Sequence, residues 1–338
     1  MRRTTTALLP ALALVSSLAL AGCGGGGDDT SKTSASPSSS SSTPAAPETN
    51  PMTGLDVPDG GSAIEKHPVL VVKMDNTYAS APQLGLGSAD LVVEELVEGG
   101  LTRLAAFYYS TLPGKTGPVR SMRASDIGIV SPVKADVVTS GAAGVTIRRI
   151  QGAGITFFGE GSKGFARDSS RSAPYNLFTD LRQTATLTKA PKERPADYLP
   201  WGSADDLPGG VPARTIAATF SGGHTTDWTF QGGKYVNTNS NAAENDRLNP
   251  DTVLVLRVQV GDAGYLDPAG NPVPETKLVG KGQAMLFHGG RLVRGTWSKA
   301  DLDSPIELST KAGPLTVPAG HTWIELVPAS GGNVTYRK

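Results

Sequence analysis

The densest chemistry in the chain lies between Leu91 and Tyr109, together with Gly117-Pro-Val-Arg-Ser-Met-Arg123 just after it. These stretches hold Glu94, Glu95, Glu98, Arg103, Arg120 and Arg123 among runs of apolar residues. Such residues have three uses. Two carboxylates beside a substrate can act as general acid and base, and Glu95 and Glu98 are the candidates. Arginine forks beside free backbone N–H groups can hold a phosphate or carboxylate, which points to Arg103, Arg120, Ser121 and Arg123. The same groups can also pair with one another inside the fold and bind nothing.

The elements that carry these residues decide which can meet. Gly99-Gly100 between two apolar runs predicts a hairpin with a two-residue turn, because glycine takes positive φ without strain. That turn pairs Glu98 with Leu101, Leu96 with Arg103, Glu95 with Leu104 and Glu94 with Ala105. Alternation then puts Glu94, Leu96, Glu98, Leu101, Arg103, Ala105 and Phe107 on one face. Glu95 falls on the other, among Val93, Val97, Leu104 and Ala106. A glutamate on an apolar face is either desolvated and functional or paired by a group from outside the hairpin. Ser121 is a candidate N-cap for a helix running to about Val130. Arg120 and Arg123 would then sit at its positive end, where the macrodipole disfavours each cation by about 0.3–1 kcal/mol. The compensating charge is either Glu94, Glu95 or Glu98, or an external anion; the glutamates are expected to supply most of it.

Secondary candidates are Asp75 and Asn76, which end the buried strand expected at Pro68–Asp75, and Arg171 and Asn176 in a polar loop. Gly141-Ala-Ala-Gly144 has a faint phosphate-loop look. The four histidines are scattered without metal-ligand spacing, and no P-loop or G-x-S-x-G elbow occurs. Neither a metal nor a cofactor is expected.

The rest of the chain sets compartment and architecture. Met1-Arg-Arg3, the apolar run Ala7–Leu20 and Leu20-Ala-Gly-Cys23 resemble a bacterial lipoprotein signal. Residues 1–22 are then removed, and Cys23 carries an acyl group such as palmitate. This lipid anchor holds the protein on the extracytoplasmic face of the cell membrane. Cys23 is the only cysteine, so no intrachain disulfide can form. Loss of Arg2 and Arg3 turns 31 basic against 31 acidic residues into a slight negative charge, which gives no support to nucleic-acid binding.

Residues 23–50, rich in Gly, Ser, Thr and Pro, read as a disordered tether, with folded structure expected from about residue 65. The fold class is α+β. A mixed α/β domain is expected over 65–195 and a smaller, mostly antiparallel β domain over 213–338. Five prolines between 189 and 214 mark the boundary. Expected β-domain strands are Thr215–Phe220, Thr225–Phe230, Thr252–Val260, Gln283–His288, Leu292–Trp297 and Thr322–Val327.

Several motifs point to one family. Leu84-Gly-Leu-Gly-Ser-Ala-Asp90, Glu98-Gly-Gly-Leu-Thr-Arg103, Gly117-Pro-Val-Arg-Ser-Met-Arg123 and Arg171-Ser-Ala-Pro-Tyr-Asn-Leu177 resemble the YerB-like lipoproteins, bacterial domain of unknown function 3048. Gly282-Gln-Ala-Met-Leu-Phe287, Gly295-Thr-Trp297 and Gly320-His-Thr-Trp-Ile324 resemble its C-terminal part. The resemblance implies a two-part extracytoplasmic lipoprotein and no established activity. It also implies a histidine where this chain has Tyr175, and an arginine where it has Asn237. The function expected is a non-enzymatic envelope protein that binds an anionic group, for example on a cell-wall precursor or polymer. The alternatives are an envelope-acting enzyme using Glu95 and Glu98, and a structural or interaction lipoprotein without a ligand.

Overall fold

The computed structural model describes residues 48–58 and 61–338. The expected signal segment, the lipidation site Cys23 and the tether up to residue 47 lie outside the described residues. Folded structure starts earlier than residue 65: Thr49 bridges Asp56, and Met52 is fully buried in the core. Among the described residues no helix is long and apolar enough to cross a membrane.

The first strands are β1 (Leu70–Asp75), β2 (Leu91–Leu96) and β3 (Thr102–Tyr108), all but fully buried. Helix α1 (Asp126–Val130), β4 (Asp136–Val138), α2 (Gly144–Gly152) and β5 (Phe157–Phe158) follow. β1 lies antiparallel to β3 and parallel to β4, and β4 runs parallel to β5. All six strands expected in the C-terminal half are present, within longer or shifted limits.

The expected division into an α/β domain and a smaller β domain gives way to one large sheet. β2 pairs in parallel with the strand Thr322–Pro328, which pairs in parallel with Thr252–Leu266, so a 13-stranded mixed sheet runs through both halves. The protein is mostly β. One face of this sheet packs on α1, α2 and the segment around Tyr198, sharing Val93, Phe107, Ile129, Ile150 and Ile324. The opposite face packs on a four-stranded antiparallel sheet made of Thr215–Ser221, His224–Gln231, Lys234–Asn237 and Asn333–Arg337. Two apolar layers on a sheet buried on both sides leave no room for the hydrophobic-in, polar-out alternation of a half-solvated sheet.

Two local expectations fail for physical reasons. The hairpin loop has three residues, Glu98-Gly99-Gly100, closed by Val97 N–H donating to Leu101 O at 2.8 Å. Glu95 therefore faces Arg103, Glu94 faces Leu104 and Leu96 faces Thr102, one residue out of the expected register. Ser121 does not cap a helix either, for α1 begins only at Asp126. Residues 117–123 run extended, with Arg120 N donating to Lys73 O at 2.8 Å and Met122 N to Gly141 O at 3.0 Å. Backbone donors already engaged across strands cannot also close helical turns. Gly117 sits at φ 146°, where an added Cβ would come within 2.8 Å of Val119 N.

Candidate functional site

The observed register puts Lys73, Asp75, Glu95 and Arg103 on the helix-covered face of the sheet. Lys73 Nζ lies 2.7 Å from Glu95 Oε1 and 2.7 Å from Asp126 Oδ1, with all three side chains fully buried. Burial works against the ammonium, but Asp126 and Glu95 outweigh it and raise the Lys73 pKa. Burial raises Glu95, and Asp126 adds to the rise against the pull of Lys73. Asp126 also accepts from Arg123 N at 2.6 Å, whereas Glu95 Oε2 has no partner among the described residues. Burial and the unpartnered Oε2 both favour the protonated form of Glu95.

Outside this triad, Glu98 collects two arginines. Arg103 Nη2 donates to it at 3.0 Å and Arg123 Nε at 2.9 Å, with Arg123 Nη2 forming the second arm of a fork. The same arginines bond backbone: Arg103 Nη1 to Ser121 O at 2.8 Å and Arg123 Nη1 to Met122 O at 2.9 Å. Burial, followed by the neighbouring Arg123, lowers Arg103 to about 10. Burial would raise Glu98, but Arg123 and Arg103 hold it below the usual carboxylate range.

Arg120 is different. Its Nη1 lies 3.3 Å from Asp75 Oδ2, its guanidinium stands 5.1 Å over the Tyr175 ring, and its side chain is 19% exposed. Among the described residues its guanidinium donates no hydrogen bond that meets ordinary geometry, and Nη1 is buried without one. Asp75 is otherwise held by Thr77 N at 2.9 Å. The Ser121 hydroxyl lies 3.3 Å from that of Ser140, at the start of the loop leading to Gly141 and α2.

The opposite face holds a second buried cluster. Glu94 and Glu325 are register partners on adjacent parallel strands, both fully buried. Glu94 Oε1 accepts from Asn76 at 2.9 Å, Thr102 at 2.7 Å, Thr226 at 3.0 Å and His224 Nε2 at 2.8 Å. Trp323 Nε1 reaches Glu94 Oε2 at 3.3 Å, and Trp228 Nε1 donates to Glu325 Oε1 at 2.7 Å. Burial, then the charge of Glu94, pushes Glu325 far up, so it is the neutral acid of the pair. Glu94 is held low: burial opposes its charge, but His224 and Thr102 stabilise it. His224 is correspondingly raised, Glu94 outweighing burial.

The residues matched by known proteins span both clusters. Residues 52–195 match the family described as protein of unknown function (DUF3048), N-terminal domain, and residues 216–324 match its C-terminal domain. The chain belongs to the DUF3048 family. It is 25% identical over 291 residues to the protein of Bacillus subtilis (strain 168) named "Putative lipoprotein YerB", covering 82% of this chain and 86% of that one. The crystal structure of the YerB protein from Bacillus subtilis has the same fold, with a TM-score of 0.69 at 18% identity, covering 85% of this chain and 99% of that chain.

Within this DUF3048 chain the sequence candidates are sorted rather than gathered. Glu98, Arg103 and Arg123 form one network, Asp75 and Arg120 a neighbouring pair, and Glu95 lies sealed behind them. The pairing of Arg103 with Glu98 stands although the expected register does not. Asn76 turns to the opposite face and serves Glu94. Arg171 ties its loop to the segment after β1, donating to Ser80 O at 3.2 Å and Pro82 O at 2.5 Å and stacking 5.0 Å over Phe178. Asn176 accepts from Arg167 at 2.7 Å. That loop sets Tyr175 over Arg120, so the residue standing where the resemblance implied a histidine covers a cation and offers no imidazole base.

Lys73, His224 and Glu325 were missed as site residues. Lys73 and Glu325 each carry a signal, a charge flanked on both sides by apolar residues within a buried strand. His224 carries none, for it follows Gly222-Gly223 as an ordinary turn residue would. Among the described residues no group of three or more His, Cys, Asp or Glu side chains is arranged to hold a metal.

Proposed function

We propose that this DUF3048 protein is a lipid-anchored, extracytoplasmic binding protein of the cell envelope, and that Arg120 is the contact for an anionic group on a wall precursor or polymer. The observation that carries this reading is the unused guanidinium of Arg120. Arg103 and Arg123 spend their donors on Glu98 and on backbone carbonyls, so they position the segment around Ser121 rather than hold a ligand. Arg120, partly exposed above Tyr175, turns only its buried Nη1 to Asp75 and leaves Nε and Nη2 without a hydrogen bond among the described residues, so they can serve a phosphate or carboxylate. Ser121 and the open turn at Gly141 border it, and an added Cβ at Gly141 would meet nothing within 4 Å. The name of the Bacillus relative and the sequence around Cys23 both support the lipid anchor.

The acid/base reading loses support from the same geometry. Glu95 has no exposure, and Glu98 is occupied by two guanidinium groups.

The test is anion-dependent thermal unfolding with inorganic phosphate and a glycerol-phosphate oligomer. The wild-type chain should gain a few degrees; a ligand at a hundred times its Kd adds about 2.7 kcal/mol. Arg120→Ala should lose the gain. Equal responses of the two proteins would remove Arg120 from any anion site.

A further inference from the structure

Away from both charge clusters, the edge of the large sheet carries a cavity of about 880 Å³. Leu199, Pro200 and Trp201 form one wall, and Ile306, Leu308 and Leu315 form the other. Leu199, Ile306, Leu308 and Leu315 are at most 6% exposed and belong to the helix-side core, so the cavity opens that core to the surface. Close-packed interiors leave few voids larger than a water molecule. A space of this volume lies instead in the range of small-molecule sites, about 300–1,000 Å³.

The lining defines the ligand by charge. It contains no Lys, Arg or His, and its charged groups are the two carboxylates Asp197 and Glu307. An anionic head is repelled there, whereas an uncharged hydrocarbon chain meets apolar walls and no buried donor left unpaired.

Its position supplies the second observation. The wall segment also clamps the chain where it arrives from the N-terminus. Arg194 Nε donates to Thr49 O at 2.9 Å, while Tyr198 N and Trp201 Nε1 both donate to Pro51 O at 3.0 Å. Only residues 24–48 separate this clamp from Cys23. A chain of that length spans at most about 90 Å when fully extended. The clamp beside the cavity is therefore held within that span of the surface to which an acylated Cys23 is attached.

We infer that this cavity takes the hydrocarbon chain of a membrane lipid from the bilayer to which the protein is anchored. The inference rests on the anchoring reading of Cys23 and is independent of the anion site at Arg120.

The test uses the mature chain, residues 23–338, carrying Cys23→Ser so that it bears no acyl group of its own. A fluorescent N-dodecyl dansylamide, which carries no anionic head, is titrated in, then displaced with palmitoyl lysophosphatidylcholine. Ala196 is exposed at the mouth, so Ala196→Trp narrows the entry without touching the core. Saturable one-to-one binding, displaced by the lysolipid and weakened about tenfold or more by Ala196→Trp, is the expected result. Tyr78→Ser, at a side chain 89% exposed elsewhere, should bind as the parent does. No saturable binding, or equal binding by the Ala196→Trp chain, overturns the inference. Refusal of the probe by the acylated protein, with acceptance by the Cys23→Ser chain, also overturns it, because the occupant would then be the protein's own acyl group.

Discussion

Glu94 and Glu95 are neighbours on one strand, yet they solve burial in opposite ways. Glu95 faces the helices and is answered by a whole charge, the Lys73 ammonium, shared with Asp126. Glu94 faces the second sheet and is answered by dipoles from Asn76, Thr102, Thr226 and Trp323, plus an imidazole at the edge of the layer. A carboxylate paired with an ammonium is hostage to one partner, because removing it strands a charge in low dielectric. A carboxylate bonded by several donors loses less with each one and passes its surplus charge problem to its neighbour, Glu325, which stays protonated.

The largest effect should come from Lys73→Met, a change that keeps the volume and removes the charge. It leaves Glu95 and Asp126 buried without a cation and should cost about 3–5 kcal/mol in urea unfolding. Adding Glu95→Gln should restore part of that loss, because one of the stranded carboxylates is gone. Additive losses in the double variant would mean that the two side chains do not interact, and the contrast with Glu94 would collapse.

Glu94→Gln should cost less, about 1–3 kcal/mol, since most of its donors keep an acceptor. Its clearer signature is in pH. In the native state Glu94 raises His224 above its ordinary value, so the His224 contribution is fully present below the ordinary histidine range. It is lost as pH rises through the raised native value. Urea stabilities measured from acid to mildly alkaline pH should decline across that window in the wild type. The decline should flatten in Glu94→Gln, and an NMR titration should show His224 returning toward its ordinary range. An unchanged His224 titration in the variant would break the assignment.

What could be read from the sequence followed from local pattern. The apolar runs marked β1, β2, β3 and the six strands expected after residue 213. The hairpin register could not be read, because Gly99 and Gly100 both take positive φ in a three-residue loop as readily as in a two-residue turn. That one-residue difference moves Arg103 from the Glu94 face to the Glu95 face. The helix expected from Ser121 failed because tertiary hydrogen bonds claimed the backbone first. Pairing of β2 with Thr322–Pro328 joins segments more than two hundred residues apart and leaves no local trace. Without that pairing Glu325 is an unremarked acid, and the carboxyl pair on the second face stays hidden.

The smallest expected effect separates holding a structure from holding a ligand. Arg123→Ala removes a fork on Glu98 and a backbone bond, and should cost about 1.5–3 kcal/mol, in line with hydrogen bonds to charged groups. Arg120→Ala removes one 3.3 Å contact with buried Asp75 that lacks hydrogen-bond geometry, while Asp75 keeps the Thr77 N–H and hydroxyl, and should cost about 1 kcal/mol. A guanidinium that contributes so little to folding, set over an aromatic ring with Nε and Nη2 unbonded among the described residues, is available for a partner. Paired urea curves for the two variants at one pH measure this directly. If Arg120→Ala destabilises the fold as much as Arg123→Ala does, Arg120 belongs to the internal network, and the binding role proposed for it falls with that result.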